Sequence, residues 1–148
     1  MNKTRLPEII DRCSVSEINV AKMVRRMVRF APRESLVGLE RIVITDYDPK
    51  DMGFGCYWKQ ERQIDIFARE SLDCLPWALK KMYIFPYLFI GQVFGHELDH
   101  HINRDNDSID KELSAEQDSL VYIYPSFGIF KLPAKILRRF LLAAGWGR

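Results

Sequence analysis

Arg41-Ile42-Val43-Ile44-Thr45-Asp46-Tyr47-Asp48-Pro49 is the stretch that decides the fold class. Its first five residues are short, β-branched and apolar, which suits a pleated, half-buried strand, and its last four are turn chemistry. Two further runs, Gly53 to Tyr57 and Gln63 to Ala68, read as strands joined in a hairpin around Lys59 to Glu61. In the second run Ile64 and Ile66 alternate with Gln63 and Asp65, so one face is buried and the other wet. Upstream, Ser14-Val15-Ser16-Glu17 has the form of a capping box, which opens a helix running to about Phe30 and stopped by Pro32. Val20, Met23, Val24, Met27 and Phe30 fit its apolar stripe, and Lys22, Arg25, Arg26 and Arg29 give the remainder a basic surface. Downstream, Pro76 suits a first helical turn. Pro86 ends or kinks that helix and begins the segment containing His96. Further helices are expected over Ile109 to Tyr122 and from Pro133 to Gly145. Helix, three strands, then helices is the order of a segregated α+β domain, and residues 1–148 read as one such domain.

The composition narrows the class of protein. A chain of 148 residues that is 47% hydrophobic and 28% charged can bury a core. Lys and Arg number 22 against 20 Asp and Glu, and a net charge of +2 does not by itself argue for nucleic-acid binding. The start, Met1 to Pro7, is basic but lacks the apolar run of a secretory signal. The longest apolar stretch, Met82 to Gly95, is broken by Pro86 and Gln92 and falls short of the about 20 residues a membrane span needs. Cys13, Cys56 and Cys74 form no C-x-x-C pair. The expectation is a cytoplasmic protein without a disulfide framework or a transmembrane segment.

Gly95-His96-Glu97-Leu98-Asp99-His100-His101 contains H-E-x-x-H, and the chain's three histidines all lie within it. A shuffled chain of this composition would hold the pattern roughly once in four hundred, which favours a site over coincidence. On a helix, residues four apart are separated by about 40° around the axis, so His96 and His100 can turn imidazole nitrogens toward one ion. Glu97 projects beside that pair, where a general base belongs. Zinc suits such nitrogen and oxygen ligands and, in catalytic sites, keeps one position for water. Gly91, Phe94, Leu98 and Ile102 form the opposite face, and His101 points about 100° from His100. His101 is therefore open to three readings: support of a ligand, contact with substrate, or structure.

Two rules compete for the third ligand. In the metzincin pattern a glycine turn follows at once, with a ligand six residues past the second histidine. Here those positions hold Asn103 and Asn106. The other rule takes a glutamate from the next helix. Ile109, Leu113, Glu116 and Leu120 follow core spacing, and a carboxylate in that stripe calls for a metal or a cation. Glu116 is the first choice and Glu112 the second; a salt bridge from Glu116 to Arg104 is the structural alternative.

His96-Glu97-Leu98-Asp99-His100 followed by Ser114-Ala115-Glu116-Gln117-Asp118 resembles the zincin metallopeptidases of the small glutamate-ligand kind, closest to a minimal ImmA/IrrE-like domain. The resemblance is specific over Gly95 to Asp118 and looser back to about Arg41. It implies one Zn2+ held by His96, His100 and Glu116, with Glu97 as catalytic base. It also implies a zincin-like fold, to which the residues add a small three-stranded sheet flanked by N- and C-terminal helices that have no counterpart in that family. An edge strand beside the active helix would bind extended peptide, the place given to Gln63 to Ala68. Gln117 departs from the alanine that group usually carries.

Charge is unevenly placed. Residues 1–33 carry eight basic and three acidic side chains, 96–118 two and eight, and 131–148 five and none. The acidic block suits a divalent cation. The tail is a basic amphipathic helix candidate that docks on the core, a membrane surface or a partner. Tyr122 and Tyr124 could each supply a hydroxyl to an oxyanion. The expected function is zinc-dependent hydrolysis of a peptide or protein substrate. The alternative is an inactive zincin-like module that binds a protein.

Overall fold

A computed structural model describes residues 5–15, 17–50, 53–104 and 124–130. The chain is α+β, with a mixed four-stranded sheet whose helices pack mainly on one face. In order come β1 (Glu8–Asp11), α1 (Val20–Phe30), a 3-10 turn (Arg33–Leu36), β2 (Arg41–Thr45), β3 (Gly55–Trp58) and β4 (Gln63–Phe67). They are followed by α2 (Ala68–Asp73), α3 (Trp77–Lys80), α4 (Ile84–Ile102) and a second 3-10 stretch (Tyr124–Phe130). The expected helices over 109–122 and 133–145 lie outside the described residues.

The strand order is β1-β2-β4-β3, with β1, β2 and β4 parallel and β3 antiparallel to β4. This corrects the expected three-stranded sheet twice. Glu8-Ile9-Ile10-Asp11 adds a fourth strand, and β4 is interior, so the edge beside the helices is β3 and not the run from Gln63. Ile42 lies opposite both Ile9 and Ile64, and Ile44 opposite Ile66. Ile42, Ile44, Ile64 and Ile66 are all fully buried among α1 and α4 side chains. Burying each one contributes roughly 1.5–3 kcal/mol.

The amphipathic pattern of α1 puts Val20, Ala21, Met23, Val24, Met27 and Val28 into the core. Phe30, expected in that stripe, is instead half exposed at the helix end. The helix begins at Asn19, whose side chain accepts the Lys22 N–H at 2.8 Å, and not at the Ser14 box. It stops at Ala31, held extended before Pro32 as the proline ring requires. Pro86 falls in the first turn of α4, where a missing N–H costs nothing, so it opens that helix and does not kink it. At 19 residues α4 is about 28 Å long, and it touches α1, α2, α3, β3 and β4. No described helix is long and apolar enough to cross a membrane.

Ser14 has a tertiary partner in place of a cap. Its N–H and hydroxyl both donate to the Asp46 carboxylate, at 2.8 and 2.7 Å, and the Cys13 thiol donates to it at 3.2 Å. Arg69 reaches the same carboxylate at 3.9 Å. This knot ties the chain leaving β1 to the end of β2. The Ser14 hydrogen bonds hold the Asp46 carboxyl below its ordinary value of 3.8. Burial, with Asp46 alongside, pushes the Cys13 thiol up to about 11.

A carboxyl whose folded pKa is depressed stabilises fully above its unfolded value and loses that contribution as pH falls through the folded one. Asp46→Asn should therefore lower the urea midpoint at pH 7. The gap from the parent should narrow below pH 3.8 and close once the parent carboxyl is protonated. A gap independent of pH would show that the charge of Asp46 is not what holds the knot.

Candidate metal centre

α4 delivers the three motif residues from one and a half turns. The His96 and His100 rings meet edge to face, with centroids 4.7 Å apart and Nε2 atoms 3.1 Å apart. Two imidazole nitrogens bound to a tetrahedral zinc at about 2.05 Å lie about 3.3 Å from each other. The observed pair is thus within a few tenths of an ångström of a ligand pair, and both rings are partly accessible. The same spacing lets one neutral ring donate its Nε2–H to the other.

Glu97 faces the sheet and is 7% exposed. A Cβ placed on Gly55 of β3 would lie 2.8 Å from Val93 Cγ1, 3.0 Å from Glu97 Cγ and 3.2 Å from the Asp65 carbonyl oxygen. Only glycine lets α4 approach the strand this closely. Cys56, the next residue, has its thiol raised to about 11 by burial and then by the charge of Glu97. It stays a neutral thiol at physiological pH, unsuited to attack as a thiolate.

The structure selects among the readings of His101: it is 1% exposed and fastens α4 to its surroundings. Nε2 lies 3.0 Å from the Val37 carbonyl oxygen and Nδ1 3.0 Å from the Tyr57 hydroxyl. A hydrogen bond to that carbonyl needs the hydrogen on Nε2, which leaves Nδ1 to accept from Tyr57; Arg104 Nη1 lies 3.3 Å from the same Nε2. Burial lowers the pKa of His101, which favours this neutral form. Arg104, the alternative partner for Glu116, donates to the His101 carbonyl at 3.2 Å, and Lys59 donates to the Arg104 carbonyl at 2.6 Å. Residues 57 and 59 of the β3 hairpin therefore grip the last turn of the helix that carries the histidines. The sequence offered no role for Asp99, which is buried and accepts from the Asn103 amide at 3.0 Å.

The open edge of β3 follows from its register. Phe67 N–H donates to the Phe54 carbonyl at 2.9 Å, which places Phe54, Cys56 and Trp58 in hydrogen-bonded pairs with β4. Alternation then turns the backbone N–H and C=O of Gly55 and Tyr57 outward. Among the described residues no strand pairs with that side.

Glu116, Glu112 and Tyr122 lie outside the described residues, and Tyr124 packs into the core. The described residues contain no group of three metal-binding side chains; His96 and His100 would account for two. No protein-family model matches this chain, and neither curated proteins nor solved structures provide a match.

Gly55→Ala should destabilise the fold by about 1–3 kcal/mol, the usual cost of overpacking. Adding Val93→Ala should recover part of the loss by removing the nearest of the three contacts. Urea denaturation of both variants checks the close approach, which an undiminished Gly55→Ala stability would refute.

Proposed function

We propose that this chain is a zinc-dependent peptidase with a zincin-like site, in which His96, His100 and Glu116 hold one zinc ion and Glu97 is the general base. The observation that carries the reading is the 3.1 Å approach of the two Nε2 atoms, with Glu97 on the adjoining side of the same helix. The donor set fits: two imidazoles and one carboxylate leave a fourth position for water or a carbonyl oxygen. Zinc, when bound, lowers the pKa of a water to about 7 and sets positive charge against a developing oxyanion.

The chain's own residues do the rest. Glu97 takes the proton from the attacking water and returns it to the departing amine, so the bond to carbon forms as the C–N bond is lost. An extended peptide can pair by strand addition with the outward N–H and C=O of Gly55 and Tyr57. A Cβ on Gly55 would lie 3.0 Å from Glu97 Cγ, so a peptide held there runs beside the base. The clamp of His101 on Tyr57 keeps the edge strand and the helix in one register.

Elemental analysis and peptide-library cleavage test the reading together. The parent should carry one zinc per chain and cleave; His96→Ala and His100→Ala should lose both properties. Glu97→Gln should keep zinc while cleavage falls by about 10²–10⁴-fold, the usual worth of a general base. A Glu97→Gln protein cleaving at the parent rate, or a parent free of zinc, removes the proposal. Stoichiometric zinc without cleavage of any peptide would favour the inactive, protein-binding module.

A further inference from the structure

The segment Trp77 to Tyr83 presents large apolar side chains to solvent beside lysines. Trp77 is 71% exposed, Met82 53% and Tyr83 61%, and they occupy one short stretch from the first residue of α3 to the start of α4. Lys81 sits over the Trp77 ring at 4.2 Å. The patch continues onto α1 through a groove of about 450 Å³ lined by Ile18, Asn19, Met23, Trp77, Lys81 and Tyr83. On α1 the exposed Lys22 stands between Asn19 and Met23 of that lining. Among the described residues two acidic groups lie here: Glu17 also lines the groove, and Asp73 is taken by Lys80 at 2.9 Å. About 20 Å of α4 separates Tyr83 from His96.

We propose that this face is a docking surface for an anionic lipid bilayer, with Trp77, Met82 and Tyr83 entering the interface and Lys81 and Lys22 meeting the headgroups. The chemistry of the patch favours a bilayer. Trp and Tyr have an apolar body and a polar tip that suit the boundary between water and acyl chain, and methionine adds a flexible apolar insert. Lysines beside them gain from the negative potential of the membrane surface. Three such exposed side chains in seven residues, adjoining a groove, form the kind of apolar display that marks an interaction site. The surface is independent of the metal centre and stands whether or not the chain hydrolyses peptides.

Vesicle flotation of the full chain tests it, with phosphatidylcholine alone and with phosphatidylcholine and phosphatidylserine at 7:3. The parent should float with the anionic vesicles and stay behind with the neutral ones. Trp77→Ala should lower the partition coefficient on the order of tenfold, as expected for loss of one inserted side chain. Lys81→Glu, which reverses a charge, should lower it by at least as much. Both positions are exposed, and unchanged melting curves would show that the fold is intact. Absence of flotation, or equal flotation of parent and variants, overturns the proposal. So does a parent dimer in sedimentation equilibrium that Trp77→Ala dissociates, since the occupant is then a second copy. Retention of a labelled oligonucleotide that Lys81→Glu alone abolishes, without flotation, would make the partner nucleic acid.

Discussion

With no side chain at Gly55, the backbone of β3 lies against Val93 and Glu97 of α4, and the rest of the site is built on that contact. A helix usually stands off a strand by the depth of their facing side chains; removing one at a single position brings the two backbones together locally. The carboxylate that borders the histidine pair is thereby carried to the rim of the sheet. One turn past Glu97, and two past Val93, the helix is held again, because His101 reaches Tyr57 on one side and Val37 on the other. Between these two points the turn bearing His96 and His100 has no freedom to drift from the strand.

Adjacent histidines meet opposite requirements here. His100 keeps an accessible nitrogen aimed at its neighbour one turn back, whereas His101 is enclosed and must satisfy two partners of different kind. A protonated ring would have two donors, and the Tyr57 hydroxyl would have to turn and accept from Nδ1. Desolvation, with the charges of Arg104 and Arg62, disfavours that ring and outweighs the Val37 hydrogen bond, which favours it.

The periodic parts of this fold were legible before any coordinates. α1 shows its buried face in the spacing of Val20, Met23, Val24 and Met27, and β2 and β4 announce themselves through paired isoleucines. The histidine pair was legible too, because four-residue spacing on a helix fixes relative direction without any tertiary information. What escaped was non-local. Four residues with two isoleucines have no period, and β1 exists because β2, 33 positions on, offers a matching edge. Strand order depends on which chain crosses over which, so local alternation in Gln63 to Ala68 could not say that the strand is interior. Ser14 and Asn19 are both good caps, and the choice between them was made by Asp46, distant in sequence. Helical geometry separated His101 from His100 in direction but could not name what lay there.

The hairpin and the first strand differ in how far the chain must travel to close them. β3 meets β4 across residues 59–62, but β1 meets β2 only after residues 12–40 have been gathered, helix included. By loop-closure entropy alone the longer excursion costs about 1.7 kcal/mol more. Folding should therefore nucleate on the hairpin, with the amino-terminal strand added later. The histidine-bearing helix closes on that hairpin over a longer separation still, 38 residues from Gly55 to Val93 and 44 from Tyr57 to His101. The histidine pair should thus reach its place beside the sheet no earlier than the first strand does.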